Sequence, residues 1–188
     1  MADTELRLPV HTIATAPERS RPILEQVASK YGFLPNLMGV FSGAPAALQA
    51  YLAISEQFGQ TSLPPLAREV VLLTTARANA CHYCVAVHSM MATMAKLPAA
   101  AIEAIRNDTP IADPALESVR LLTRSIVIDR GHPSPEVVRG FLANGFQSNQ
   151  ILEVLVGVTL KTLSNYTNHL AHTPLDAAFA PHSWEPAR

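Results

Sequence analysis

Cysteine is nearly absent: the 188 residues hold only two, Cys81 and Cys84, within the stretch NACHYCVAVH. A disulfide framework of the kind that staples small secreted domains is therefore excluded. Charge is scarce as well, at 15% Asp, Glu, Lys and Arg, and the net charge is −1 with 14 basic against 15 acidic residues. No run of either sign makes a phosphate-tracking stripe, so nucleic acid is not expected as a partner. Aromatic residues reach only 6% and form no platform for stacking bases. No clean apolar stretch attains the ~20 residues that span a bilayer, and the opening MADTELRLPVHT lacks the apolar core of a secretion signal. These absences point to a soluble cytoplasmic chain with no membrane partner. In that compartment a cysteine pair is more readily reactive or metal-binding than structural.

What is present is apolar and punctuated by proline. Hydrophobic residues make up 48%, enough at this length for one self-sufficient core. The shortage of charge leaves apolar surface that identical copies of the chain would cover. The 15 prolines and 8 glycines often fall where helices begin and end. Pro22 and Gly32 bracket the first run, RPILEQVASKY, after Ser20. Pro45 and Gly59 bracket AALQAYLAISEQF, and Pro64 with Pro65 opens LAREVVLLTTARANA. Pro98 starts AAAIEAIRN, Asp113 and Pro114 start ALESVRLLTRSIVIDR up to Gly131, and Ser134 with Pro135 starts EVVRGFLAN up to Gly145. Ser148 is placed as the cap of NQILEVLVGVTLKTLSNYTNHLA. Leu116, Val119, Leu122, Ile126 and Val127 recur at three and four residues, one helical face. EVVLLTT and IVID carry strand-like branching, but no hairpin turn or alternating partner lies nearby. The chain reads as all-α, with an N-terminal extension over 1–16, one helical domain over 17–180, and a loose tail, 181–188, beginning after about Phe179.

Cys81, Cys84 and His88 fall on one face of a helix. Helical side chains lean toward the N-terminus, which carries the His88 ring back over Cys84. The spacing of the cysteines also suits a disulfide, whose Cα atoms stand roughly 4.4–6.8 Å apart. A helix start at Asn79-Ala80 would aim free N–H groups at Cys81 and lower its thiol pKa from the usual ~8.5, while His88 would serve Cys84 as base. Glu69 belongs to the preceding helix. A carboxylate beside a thiolate opposes ionisation, so Glu69 suits orienting His88 or accepting a proton.

Other chemistries compete for the same residues. Zinc could take Glu69, Cys81, Cys84 and His88, although a structural tetrahedral site usually draws a second ligand pair from elsewhere. Buried cysteines can also be small hydrophobes. A thioredoxin-type pair would follow a strand in a βαβ unit, and none is visible. His169 and His172 share a face without a further ligand. Glu153, Asn165, Asn168 and His172 repeat the spacing of Glu69, Cys81, Cys84 and His88 at one constant offset. A duplication would make the bundle two related helical units, the second a scaffold that has lost its thiols.

Glu69, Cys81, Cys84 and His88, set in LPPLAREVVLLTTARANACHYCVAVHSMMA, resemble the alkylhydroperoxidase D (AhpD)-like and carboxymuconolactone decarboxylase superfamily. YGFLPNLMGVFSGAP at 31–45 and NYTNHLAHTPLDAAF at 165–179 are similar to its peroxidase-related branch. The resemblance implies an all-α AhpD-like bundle, assembled as a trimer or hexamer. It also implies thiol-dependent reduction of hydroperoxides, an antioxidant activity. By motif position, Cys84 would be the peroxide-attacking thiol, Cys81 the resolving thiol, and Glu69 with His88 the proton relay. No flavin, haem or nicotinamide motif occurs, so no cofactor is expected and an external thiol or dithiol must supply the electrons. The branch that decarboxylates lactones typically lacks this cysteine pair. Tyr83 stands where the best-known peroxidases of the family carry a histidine, and His82 is one place out of register. The alternatives to the peroxidase are a thiol–disulfide oxidoreductase or redox sensor on the same cysteines, and a non-catalytic oligomeric or zinc-binding module.

Overall fold

The computed structural model describes residue 6 and residues 8–185. Among them are nine α-helices and two short 3-10 turns, Glu18–Ser20 and Ala177–His182, and no strand. The helices are α1 (Arg21–Tyr31), α2 (Asn36–Ser42), α3 (Pro45–Gly59), α4 (Pro65–Ala78), α5 (His82–Met94), α6 (Ala99–Arg106), α7 (Pro114–Ile128), α8 (Pro135–Ala143) and α9 (Ser148–Ala171). None is long and apolar enough to cross a membrane.

Proline occupies the first turn of α1, α3, α4, α7 and α8, where its missing N–H costs no helical hydrogen bond. Asp113 caps α7 through Oδ1, which accepts from the amides of Ala115 and Leu116 at 2.9 and 3.0 Å. α9 departs from expectation at its start. Gln147, not Ser148, is the cap, in a reciprocal box with Gln150.

α4 lies at the centre, packed against α5, α6, α7 and α9. Every residue from Val70 to Ala76 is buried, which explains why EVVLLTT shows no helical period: a helix covered on all sides has no polar face. α9 runs beside it, and the two approach closely at Gly157, where a Cβ would come within 2.6 Å of Val71 and 2.7 Å of Phe58. Glu153, also on α9, reaches the start of α4. Its carboxylate accepts from the Ser62 amide (2.9 Å), the Ser62 hydroxyl (2.9 Å) and the Leu63 amide (3.1 Å). This fixes the register of α9 against α4.

One terminal expectation needs correction. The segment after Phe179 is not loose through Glu185: Trp184 is buried, and its indole N–H donates to the Arg106 carbonyl at 3.2 Å. The Arg106 guanidinium returns bonds to the carbonyls of His182 and Ser183 at 3.1 and 3.0 Å. Residues 186–188 lie outside the described residues. Near the N-terminus, the His11 amide donates to Gly39 at 3.3 Å and Ala16 enters the core.

Candidate active site

The α4–α5 turn sets the cysteines. Asn79, Ala80 and Cys81 send their amides back to the carbonyls of Thr75 (3.0 Å), Arg77 (2.9 Å) and Ala76 (3.0 Å). Ala80 takes a left-handed φ of 53° to do so, a conformation that disfavours a side chain. Cys81 is thus the extended cap residue, one position outside the helix, and Cys84 stands at the third helical position. A cap side chain naturally lies over that position, so the two thiols are neighbours at the positive end of α5. Both are free and both are 1% exposed.

α9 supplies the other wall. Asn168 Nδ2 donates to Cys84 Sγ at 3.2 Å and reaches Cys81 Sγ at 3.8 Å. Ser164 Oγ lies 3.8 Å from the Cys84 sulfur. Asn165, held through its carbonyl oxygen by Asn79 Nδ2 at 2.9 Å, also acts on that sulfur. One turn before Ser164 stands Lys161, 1% exposed.

Electrostatics separates the two thiols. Burial alone would raise the Cys84 thiol pKa. The hydrogen bond with Cys81, the Lys161 charge, and the neighbouring Ser164 and Asn165 side chains outweigh it and bring Cys84 below the ordinary thiol value. Cys81 moves the other way. Its hydrogen bond to Cys84, then burial, then the Cys84 charge hold it as a thiol. The opposite directions of the two shifts favour ionisation at Cys84 over Cys81.

Glu69 and His88 border the same charge but do not form the expected chain. Among the described residues no hydrogen bond joins Glu69 to His88, nor His88 to either sulfur; Glu69 Oε2 and His88 Nδ1 are buried without a partner. Burial raises the Glu69 carboxyl, against the pull of Arg68 and Lys161. Burial and then the Lys161 charge hold His88 well below its usual value. His88 is thus a neutral imidazole, not an imidazolium that could lower a thiol pKa.

Tyr83 is engaged elsewhere. Its hydroxyl donates to Asp176 Oδ2 at 2.5 Å and accepts from the Leu37 amide at 3.4 Å, while Asp176 also takes the Asn36 amide at 3.1 Å. Burial and then the Asp176 bond raise the Tyr83 phenol and keep it neutral. His82 points outward, its Nδ1 3.1 Å from the Trp184 carbonyl and 3.1 Å from Glu185. A cleft of about 420 Å³ opens over Cys81, between His82 and Tyr83 on one side and Asn168, His169 and His172 on the other. Cys84 does not line it. Among the described residues no three His, Cys, Asp or Glu side chains gather as a metal-ligand cluster, so Glu69, Cys81, Cys84 and His88 do not form a zinc tetrahedron.

The constant-offset echo is not a repeat. It maps a helix–turn–helix, α4 to α5, onto the single uninterrupted α9. Asn168, expected to be scaffold, instead donates to the Cys84 sulfur, Asn165 is bonded to Asn79 beside it, and Glu153 holds the Ser62 and Leu63 amides ahead of α4.

The family model described as carboxymuconolactone decarboxylase family matches residues 38–124, which include both cysteines, Glu69 and His88. No curated protein matches the chain significantly. Among solved structures, an AhpD core, a peroxidase-related protein from Ralstonia eutropha JMP134, has a TM-score of 0.78 at 20% identity, covering 95% of this chain and 96% of its own. A peroxidase-related protein from Silicibacter sp. TM1040 has a TM-score of 0.74 at 16% identity over 95% of each chain. The debrominase Bmp8, as a cysteine-to-alanine variant in complex with 2,3,4-tribromopyrrole, has a TM-score of 0.73 at 16% identity, covering 93% of this chain and 97% of its own. At such identities these structures speak for the fold, and the motif residues lie inside the family match. Together they show that the chain has the AhpD-like fold and that residues 38–124 are similar to the carboxymuconolactone decarboxylase family.

Proposed function

We propose that the chain is a thiol-dependent peroxidase that reduces hydroperoxides through Cys84 and Cys81. The observation that carries this reading is the asymmetric pair itself: a buried sulfur, Cys84, that receives the Asn168 amide at 3.2 Å and is depressed in pKa, beside a thiol that is raised. A thiolate is the nucleophile such chemistry requires.

The Cys84 thiolate attacks one peroxide oxygen. The O–O bond breaks, Cys84 becomes a sulfenic acid, and the alkoxide leaves with the electron pair. Glu69, a carboxyl raised by burial, with neutral His88 as shuttle, delivers the proton that turns alkoxide into alcohol. Cys81 then displaces hydroxide from the sulfenic acid, water departs, and a Cys81–Cys84 disulfide forms. An external thiol or dithiol restores both thiols by exchange and leaves as its own disulfide. The cleft over Cys81 is the approach for that reductant, because Cys81 lines it and Cys84 does not, which leaves Cys84 as the sulfur to be expelled. A lower-pKa thiol is the better leaving group. The enzyme works in a reducing cytoplasm and as a homo-oligomer, a trimer or hexamer.

Metal-free reduced protein treated with one equivalent of a hydroperoxide tests the reading. Peroxide consumed in step with loss of two thiols per chain supports it. Cys84→Ser abolishes sulfenic acid, and Cys81→Ser leaves a trappable sulfenic acid that no longer turns over. An adduct that forms only on Cys81 would reverse the two roles. Thiol loss only on adding disulfides would give the site to thiol–disulfide exchange. Reaction with a brominated pyrrole but not with peroxide would give it to reductive dehalogenation, the chemistry named for one structural relative.

A further inference from the structure

A lysine at the centre of the bundle has no carboxylate to explain it. Lys161 is 1% exposed, among the largest fully buried side chains of the protein. Among the described residues no Asp or Glu lies within ion-pair distance of it. Burying an unpaired ammonium is costly enough that the group either loses its proton or finds an anion. Its place on α9 offers one. Lys161 lies three, four and seven residues before Ser164, Asn165 and Asn168, the face that meets Cys84.

We propose that Lys161 is the permanent counter-charge of the Cys84 thiolate, and that this buried cation, rather than deprotonation by His88, activates the nucleophile. The groups that face the pair are Tyr51 from α3, Glu69 from α4, and Cys81 and His88 at α5. Burial raises the Tyr51 phenol and the Glu69 carboxyl, which favours their neutral forms. His88 is neutral, and Cys81 is raised. Cys84 is therefore the one group in that set poised to carry the matching negative charge. Lys161 is itself raised: burial would lower it, but Cys84 foremost, then Tyr51 and Cys81, more than reverse that.

The arrangement frees Glu69 and His88 for the leaving oxygen, because the resting Cys84 has no proton for them to remove. The absence of any hydrogen bond from His88 to either sulfur fits this division. Lys161 is a positioning charge for the proposed peroxidase chemistry, and the inference rests on that reading only for its consequence in rate.

The test isolates Cys84 in a Cys81→Ser background and follows thiolate absorbance near 240 nm against pH. In this background the midpoint is expected below about 7, and in Cys81→Ser/Lys161→Met above about 8, so the thiolate fraction at pH 6 falls at least about 10-fold. Single-turnover peroxide reduction should fall in parallel at pH 6 and recover toward the parent rate near pH 10, which a merely structural loss would not do. Cys81→Ser/Lys161→Arg, keeping the charge, should restore most of the low-pH thiolate. An unchanged midpoint in the Lys161→Met protein overturns the proposal. Should that protein not fold, the 15N signal of the Lys161 ammonium decides. Cys84→Ala must lower its titration midpoint, because coupling between two sites is reciprocal, and an unmoved midpoint overturns the ion pair. Intact titration behaviour without peroxide consumption would keep the ion pair and remove the peroxidase reading.

Discussion

Asn168→Ala distinguishes a catalytic wall from a scaffold. Asn168 is 5% exposed and donates to Cys84 Sγ at 3.2 Å, while its own Oδ1 is buried without a partner. A hydrogen bond to a charged acceptor contributes about 1.5–3 kcal/mol, and each pKa unit is about 1.4 kcal/mol. The Cys84 pKa, lowered to about 5, should therefore rise by about 1–2 units, and thiolate reactivity near pH 6 should fall by about 2- to 10-fold. The stability change follows with a definite sign. Cys84 is depressed in the folded state, so its contribution is complete above the unfolded thiol value and is lost as pH falls through the folded one. The variant should lose about 1.5–3 kcal/mol at pH 8 to 9 and progressively less in acid, where both states carry the thiol. Loss of the unpartnered Oδ1 offsets part of any packing penalty. Urea unfolding across pH, paired with alkylation kinetics followed by mass spectrometry, reads both quantities. A pH-independent stability loss with normal alkylation would refute the reasoning and return Asn168 to the scaffold.

Tyr83→Phe should destabilise the fold by about 1–3 kcal/mol in thermal unfolding, because it strips Asp176 of its phenol donor, yet leave the first peroxide turnover near normal. His88 is held neutral, so the unfolded chain takes up its proton first, and stability should decline as pH falls below about 6.5. His88→Gln should flatten that decline between pH 7.5 and 5 and slow protonation of the leaving oxygen; an unchanged slope would mean that the ring does not resist charging. On α9 the exposed residues Leu152, Leu155, Thr159, Tyr166 and Leu170 line up at helical spacing, and we propose this stripe as the self-association face. Sedimentation should show an oligomer at micromolar concentration, and Leu155→Glu with Tyr166→Glu should shift it toward monomer; a wild-type monomer would defeat the idea.

Much of the fold was written in local signals. Pro45, Pro65, Pro114 and Pro135 open the helices they were read to open, because a fixed φ and a missing N–H suit only the first turn. α2 escaped notice for the opposite reason. It has seven residues, no side-chain cap of its own, and an Asp176 carboxylate that takes its Asn36 amide from 140 positions away. The docking of Trp184 on Arg106 is equally non-local. A tail of few residues carries no period from which burial can be read.

At the site, the spacing of Cys81 and Cys84 was legible because it depends on a single turn. The α9 wall was not, since its contacts bridge 80 or more positions. One signal was nevertheless available. The buried residues of α9 include Val154, Gly157, Val158, Lys161, Ser164, Asn165 and Asn168, a helical progression of three and four. That period puts Lys161 on the inward face, where lysine is almost never tolerated without a partner. The constant-offset echo drew on the same regularity. Inward-facing residues of two packed helices share a period, so polar groups aimed at one point can match in spacing without common ancestry. The lysine was the more informative of the two patterns, because a buried cation calls for an anion, whereas a matched spacing calls for nothing.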